Sequence, residues 1–177
     1  MPKVVDHDER RREIVAAMWR ILLRDGMGAV TVRALAGEAG WSLGAIRHYF
    51  TSQDELILFA MGEMLVSIAG RMGSLDFHNP DRAVLQNAIE EMIPLDRQRK
   101  VEAQIWFALL TRRIANPQVA VKAHDLDLVV RSTVRQVLLE LATANLLSAD
   151  RDLEVEAVRL HALIDGLALH GLSDRPL

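Results

Sequence analysis

Arg47, His48 and Tyr49 stand side by side a few positions after Ser42, Leu43 and Ala45. A guanidinium fork, an imidazole, a phenol and two small apolar side chains suit the edges and backbone of a nucleic-acid duplex when one rigid element presents them to a groove. The spacing predicts such an element. A short helix from Leu43 to about Tyr49 would bury Ile46 and Phe50 and leave Leu43, Ala45, Arg47, His48 and Tyr49 facing outward. Other chemistries lack their parts. There is no His-Glu-x-x-His, Gly-x-Ser-x-Gly or Walker sequence, so no enzyme is expected. The turn Gly26-Met-Gly-Ala-Val-Thr31 lacks both the Gly-x-G-x-x-Gly pattern and a lysine that would make it a phosphate cradle.

What positions those residues is a second helix just before them. Thr31 is a good N-cap, and Val32, Leu35, Ala36 and Ala39 recur at helical spacing to form one apolar face. Gly40 stops that helix in the left-handed conformation a tight turn needs, and Ser42 caps the next. Two short helices joined by a glycine turn form a helix-turn-helix, whose second member enters the major groove while the first crosses the backbone. Ahead of it, Ile14, Met18, Ile21 and Leu22 mark an amphipathic helix from Asp8 to near Gly26, preceded by a polar arm over residues 1–7. Its Arg10, Arg11 and Arg12 oppose the helix dipole, which suits either a solvated helix start or phosphate contact.

Composition sets the bounds. The chain has 177 residues, half of them apolar, with few aromatics and glycine and proline as punctuation, the profile of an all-α protein. With no cysteine, disulfide and thiolate chemistry are excluded, and a cytoplasmic location fits. No apolar run is long enough to span a bilayer, so no membrane partner is expected. The net charge of −3 does not exclude DNA, because residues 1–60 are neutral and the deficit lies in the remainder. Counterion release depends on where cations meet phosphates, not on the total.

Behind the helix-turn-helix, Ser52 and Glu55 form a capping box that opens a helix reaching about Met72. Gly73 to Pro80 breaks the chain, with Ser74 and Asn79 in the connection, and Asp81 then caps a helix to about Ile93, stopped by Pro94. A long helix covers about Arg97–Ala115. Pro117 starts another, expected to run unbroken to about Leu146, and a last one runs from near Asp150 to Gly171. In that last helix Val155, Val158, Leu160, Leu163, Ile164, Leu167 and Ala168 make an apolar surface wide enough for two buried faces. The expected organisation is an N-terminal helix-turn-helix domain over residues 1–51 and a helical body over residues 52–177.

The run from Val30 to Phe50, followed by Ser52 and Asp54-Glu55-Leu56, resembles the DNA-binding region of TetR-family transcriptional regulators over about residues 10 to 60. In the second half, Trp106, Asn116-Pro117 and Asp165-Gly166-Leu167 resemble the BetI-like branch. The resemblance implies a homodimer joined through the last two helices, a roughly palindromic double-stranded DNA operator, and a small-molecule effector that weakens operator binding. It places Thr31, Arg33, Ser42, Leu43, Ala45, Arg47, His48 and Tyr49 at the DNA. The chemistry agrees: Arg47 can donate bidentately to guanine, Thr31, Ser42, His48 and Tyr49 can donate to phosphates, and Leu43 or Ala45 can touch a thymine methyl. Two positions depart from the family pattern. Gln53 stands where many members carry a phosphate-contacting lysine, and Trp41 replaces a small aliphatic residue, where a packing role is expected.

Candidates for the effector site are Met61, Met64, Trp106, Phe107, Leu110 and His124, although ordinary core packing is the favoured reading of each, since apolar stripes pack helices far more often than they hold ligands. Candidates for the dimer interface are Val134, Leu138, Leu160, Ile164 and Leu167. His161 and Asp165 could together approach a metal or polar ligand, but two groups at a common helical spacing are a weak metal signal, and a simple hydrogen bond is the preferred reading. No metal or cofactor is expected. The sequence therefore points to a DNA-binding repressor released by a small molecule; the alternative is a helical dimeric ligand-binding or interaction protein that does not bind DNA.

Overall fold

The computed structural model describes residues 7–77 and 80–173, so the polar arm before His7, Asn79 in the connection and the residues after Ser173 lie outside what is described. The described residues form helices and no strand. In order these are α1 (His7–Asp25), α2 (Val32–Ala39), α3 (Leu43–Tyr49), α4 (Gln53–Met72), α5 (Arg82–Glu90), α6 (Arg97–Ala115), α7 (Pro117–Lys122), α8 (His124–Thr143) and α9 (Leu153–Gly171).

Local chemistry sets most boundaries. The Thr31 and Ser42 hydroxyls accept from the amides of Ala34 and Ala45, each at 3.1 Å, and so start α2 and α3. Gly40 ends α2 at φ 72°, a left-handed conformation that a Cβ would strain. Ser52 accepts from the Glu55 amide at 3.1 Å, as a capping box requires, but the Glu55 carboxylate reaches one residue further back. It takes both the amide and the hydroxyl of Thr51 at 3.0 Å, so the clasp closes over Thr51 rather than Ser52.

Three expectations need correction. The helix capped by Asp81 ends at Glu90, and residues 91–93 continue as hydrogen-bonded turns to Pro94. The helix begun by Pro117 does not run unbroken to Leu146. It stops at Lys122, the chain turns at the fully buried Ala123, and α8 then runs from His124 to Thr143. The turn sets Val119 and Ala123 into the main core. Val32 is the third: although placed on the apolar face of α2 by its spacing, it is exposed, and Leu35 and Ala36 carry the burial. It lines a surface groove with Leu35, Ile46 and Phe50 rather than entering the core.

Helices α1, α2 and α3 pack together around Ile14, Met18, Ile21, Leu35, Ile46 and Phe50. The same apolar cluster continues through Ile57, Met61, Ile105 and Leu109 of α4 and α6, so the helix-turn-helix is seated on the body without a break in the core. Polar links reinforce the seat. Arg112 of α6 bonds Asp54 at the start of α4 at 2.7 Å, and Arg97 donates to the carbonyl of Leu23 in α1 at 3.3 Å. α4 is about 30 Å long at 1.5 Å per residue, enough to connect the body to the helix-turn-helix. α8 and α9 form a helical hairpin, bridged near its turn by Arg135 and Glu154 at 2.7 Å.

Candidate functional site

The outer surface of α2 and α3 gathers the residues singled out by their chemistry. Thr31, Arg33, Ser42, Leu43, Arg47 and His48 are exposed, while Ala45 and Tyr49 are half-buried. Both capping hydroxyls spend their oxygen lone pairs on backbone amides, which leaves each O–H free to donate to a phosphate. Arg33 and Arg47 differ from the other arginines of this region. Arg20 and Arg24 are held by Glu38 at 2.7 and 3.0 Å, and Arg10 by Glu13, whereas no described residue forms an ion pair with Arg33 or Arg47. Two exposed guanidinium groups without ion-pair partners, one on α2 and one on α3, are available to a duplex, whatever the net charge.

The edge of α3 is held by rings packed edge-on or tilted against one another. Tyr49 lies between Trp41, at 5.4 Å between centroids, and His7, at 4.8 Å, with His48 edge-on at 5.2 Å. Trp41 thus packs against the helix-turn-helix, and the Arg10 guanidinium covers it at 5.6 Å. Gln53, in the place of the expected lysine, donates to the Val30 carbonyl at 3.3 Å and ties the start of α4 to the loop before α2.

The arginine triplet turns out to be divided. Arg11 points inward, stacked over Phe50 and Phe59 at 4.7 and 4.3 Å and bonded to Glu55 at 3.1 Å. It holds α1 to the end of α3 and the start of α4. Burial works against the Glu55 carboxylate, but the Thr51 amide and hydroxyl and nearby Arg11 outweigh it and hold its pKa below the ordinary glutamate value.

The body has a cavity of about 110 Å³, open on one side, between α4, α6, α8 and α9. Met61, Met64 and Trp106 line it. Phe107 and Leu110 are instead half-buried on other faces of α6, and His124 is exposed at the start of α8. The sequence pairs His161 with Asp165 by helical spacing but does not show that Trp106 joins them at the polar end of this cavity. His161 and Asp165 line it, and the Trp106 Nε1–H donates to Asp165 Oδ1 at 2.8 Å. His161 Nε2 is 3.8 Å from Asp165 Oδ2, too far for a hydrogen bond, and has no other partner. No group of three or more metal-binding side chains occurs among the described residues. One turn before Trp106 on α6 the lining carries Glu102, which Arg71 clamps through two bonds of 2.9 and 2.8 Å while also pairing with Glu91. Burial works against the Arg71 charge, but the two carboxylates outweigh it and hold its pKa above the ordinary arginine value.

Of the interface candidates, Val134, Leu138 and Ile164 are buried within the chain's own core, and Leu160 and Leu167 are half-buried. The exposed apolar residues of α9 are its neighbours Val155, Val158, Leu163 and Leu169.

Residues 14–59 match the family of bacterial regulatory proteins named after TetR, and residues 81–177 match the C-terminal region of BetI-type transcriptional repressors. The chain belongs to the TetR family. It is 38% identical over 176 residues to the HTH-type transcriptional regulator PksA of Bacillus subtilis, spanning 98% of this chain and 84% of that one. A transcriptional regulator from Rhodococcus sp. Rha1 shares its fold at a TM-score of 0.75 and 26% identity, over 93% of this chain and 84% of that one. A regulator from Saccharomonospora viridis, solved in complex with choline, matches at 0.76 and 26%, over 92% and 85%. This TetR-family protein is therefore a DNA-binding transcriptional regulator and not an enzyme, and the reading without DNA binding falls away. Members of the family bind DNA operators and dimerise. No helix among the described residues is long and apolar enough to cross a membrane.

Proposed function

We propose that this chain represses transcription in the cytoplasm as a homodimer on a roughly palindromic operator and leaves the DNA when a small molecule fills the cavity of its body. The observation that carries the DNA reading is that Arg33 of α2 and Arg47 of α3 are exposed and without ion-pair partners among the described residues, beside hydroxyls whose protons are free. Residues 1–51 act as the reading head and residues 52–177 as effector-binding and dimerising body. Arg47 reads base edges, Leu43 and Ala45 supply apolar contact, and Thr31, Arg33, Ser42, His48 and Tyr49 hold phosphates. The partner copy packs on the outer faces of α8 and α9, where Val158, Leu163 and Leu169 are exposed beside the half-buried Leu160 and Leu167. Such a face buries itself in a second copy with two-fold symmetry.

Release follows from geometry. Two recognition helices must meet successive major grooves about 34–36 Å apart, or a multiple of that, so a small pivot of α4 breaks the register. Met61, Met64 and Met72 of α4 line the cavity, which puts an occupant in contact with that lever. The choline-bound relative supports a body that accepts small molecules. The effector must prefer one of the two states, because equal affinity shifts nothing.

Selection of bound sequences from random duplexes, followed by band-shift titration with a metabolite panel, tests the reading. A preferred, roughly palindromic site is expected, and its absence would overturn the proposal. On that site Arg47→Ala should cost about 1–3 kcal/mol and relax specificity at one position, whereas Arg33→Ala should weaken binding to all sequences alike and flatten the salt dependence.

A further inference from the structure

We infer that the effector is a small uncharged apolar molecule, a single ring or a chain of about six carbons, and neither an organic cation nor an organic anion; this rests on the reading of the cavity as the effector site. The charges that border the cavity are already matched. Arg71 pairs with both Glu102 and Glu91, and Arg99 donates to Asp96 at 2.9 Å and to the Glu90 carbonyl at 2.7 Å. Asp165 accepts from Trp106, and its side chain is 35% exposed, so water meets the rest of its charge. The other polar groups of the lining are spent or out of reach. Thr133 gives its O–H to the Val129 carbonyl at 2.9 Å, and His161 Nε2 is closed off even from water. A ligand charged at its centre would leave its own hydration behind and find no open counter-charge, whereas an apolar one gains from every surface it covers.

What the wall offers is apolar surface that can adapt. Met61, Met64, Met72 and Met92 bring four flexible thioethers, which repack around apolar bodies of different shape. The rings that would hold a quaternary ammonium are missing. Among the described lining residues Trp106 is the one indole or phenyl ring, and the His161 imidazole packs against it at 6.0 Å between centroids. A cage of several ring faces cannot form from one. The body of the ligand must also be small. The cavity holds about 110 Å³, against roughly 150 Å³ for an apolar cavity that takes up benzene. One ring therefore fills it, with a short substituent reaching the open side.

Toluene and N-methylpyridinium share one shape and differ by a permanent charge, while benzoate adds an anion and choline is the ligand of the Saccharomonospora viridis regulator. Titrated calorimetrically into the full chain, toluene should bind at least about tenfold more tightly than each of the other three, because it alone gives up no ionic hydration on entry. With methyl-labelled methionine, toluene should shift the signals of Met61, Met64, Met72 and Met92 and leave those of Met18 and Met27, in the reading head, in place. No toluene binding, shifts confined to Met18 and Met27, or a charged probe that binds as tightly overturns the inference. The underlying reading fails by a separate sign. Ala103→Leu fills the cavity, as does Thr133→Phe from a half-buried position if the first variant no longer binds the operator. If operator release by the metabolite that the panel identifies is unchanged in that variant, the cavity is not the effector site. A charged metabolite whose effect is lost in that variant overturns the inference and leaves the reading standing.

Discussion

Replacing Arg71 by methionine strands a carboxylate in the core, and the size of the effect follows from its surroundings. The Glu102 side chain is 6% exposed, and the two Arg71 bonds to it are 2.9 and 2.8 Å. After the replacement, only Gln98 donates to it, at 3.3 Å. Breaking a buried pair from one side costs about 3–5 kcal/mol, and the partial exposure of Arg71 together with the Gln98 bond places this site at the lower end, about 3 kcal/mol. For a chain of this length that lowers the melting temperature by about 6–12 °C. Urea unfolding followed by circular dichroism at 222 nm measures it, with protein concentration held fixed because dimerisation contributes to stability. The decisive arm is Arg71→Met combined with Glu102→Gln, which removes the stranded charge and should recover about half of the loss. A loss below about 1 kcal/mol, or no recovery in the double variant, would refute the reasoning by showing that the pair behaves as a surface salt bridge.

Three further outcomes are expected. Gly40→Ala should cost about 1 kcal/mol in unfolding experiments, because the φ of 72° is strained for a side chain although the space beside it is open, and Gly40→Asn should cost less. The Glu55 clasp should depend on pH. Its folded pKa lies below the unfolded value, so its stabilisation is present above the ordinary glutamate pKa and fades as pH falls through the lowered folded value; an acid titration of stability should therefore be flatter in Glu55→Gln. Val158→Glu and Leu163→Glu together should convert the dimer to a monomer in sedimentation at micromolar concentration, and an unchanged dimer would move the interface elsewhere.

What the sequence determined by itself was whatever a few neighbouring residues decide. The caps at Thr31, Ser42, Ser52 and Asp81 each close a bond to an amide three residues on, and the Gly40 turn needs nothing beyond its own backbone. The helix-turn-helix and its outward face are therefore legible in the chain order. Tertiary structure decided which apolar and polar side chains meet across long separations. Helical spacing names a face but not its partner, so Val32 came out exposed, and Val134, Leu138 and Ile164 went into the chain's own core while Val158 and Leu163 stayed outside. Nor could local pattern announce the bend at Ala123, where burial in the core interrupts a helix with no breaker at that position. The cavity's polar end joins Trp106 to Asp165 across 59 residues, and the clamp on Glu102 joins it to Arg71 across 31. Those contacts exist only once α4, α6 and α9 pack together, because that packing removes the water that would otherwise satisfy each group alone.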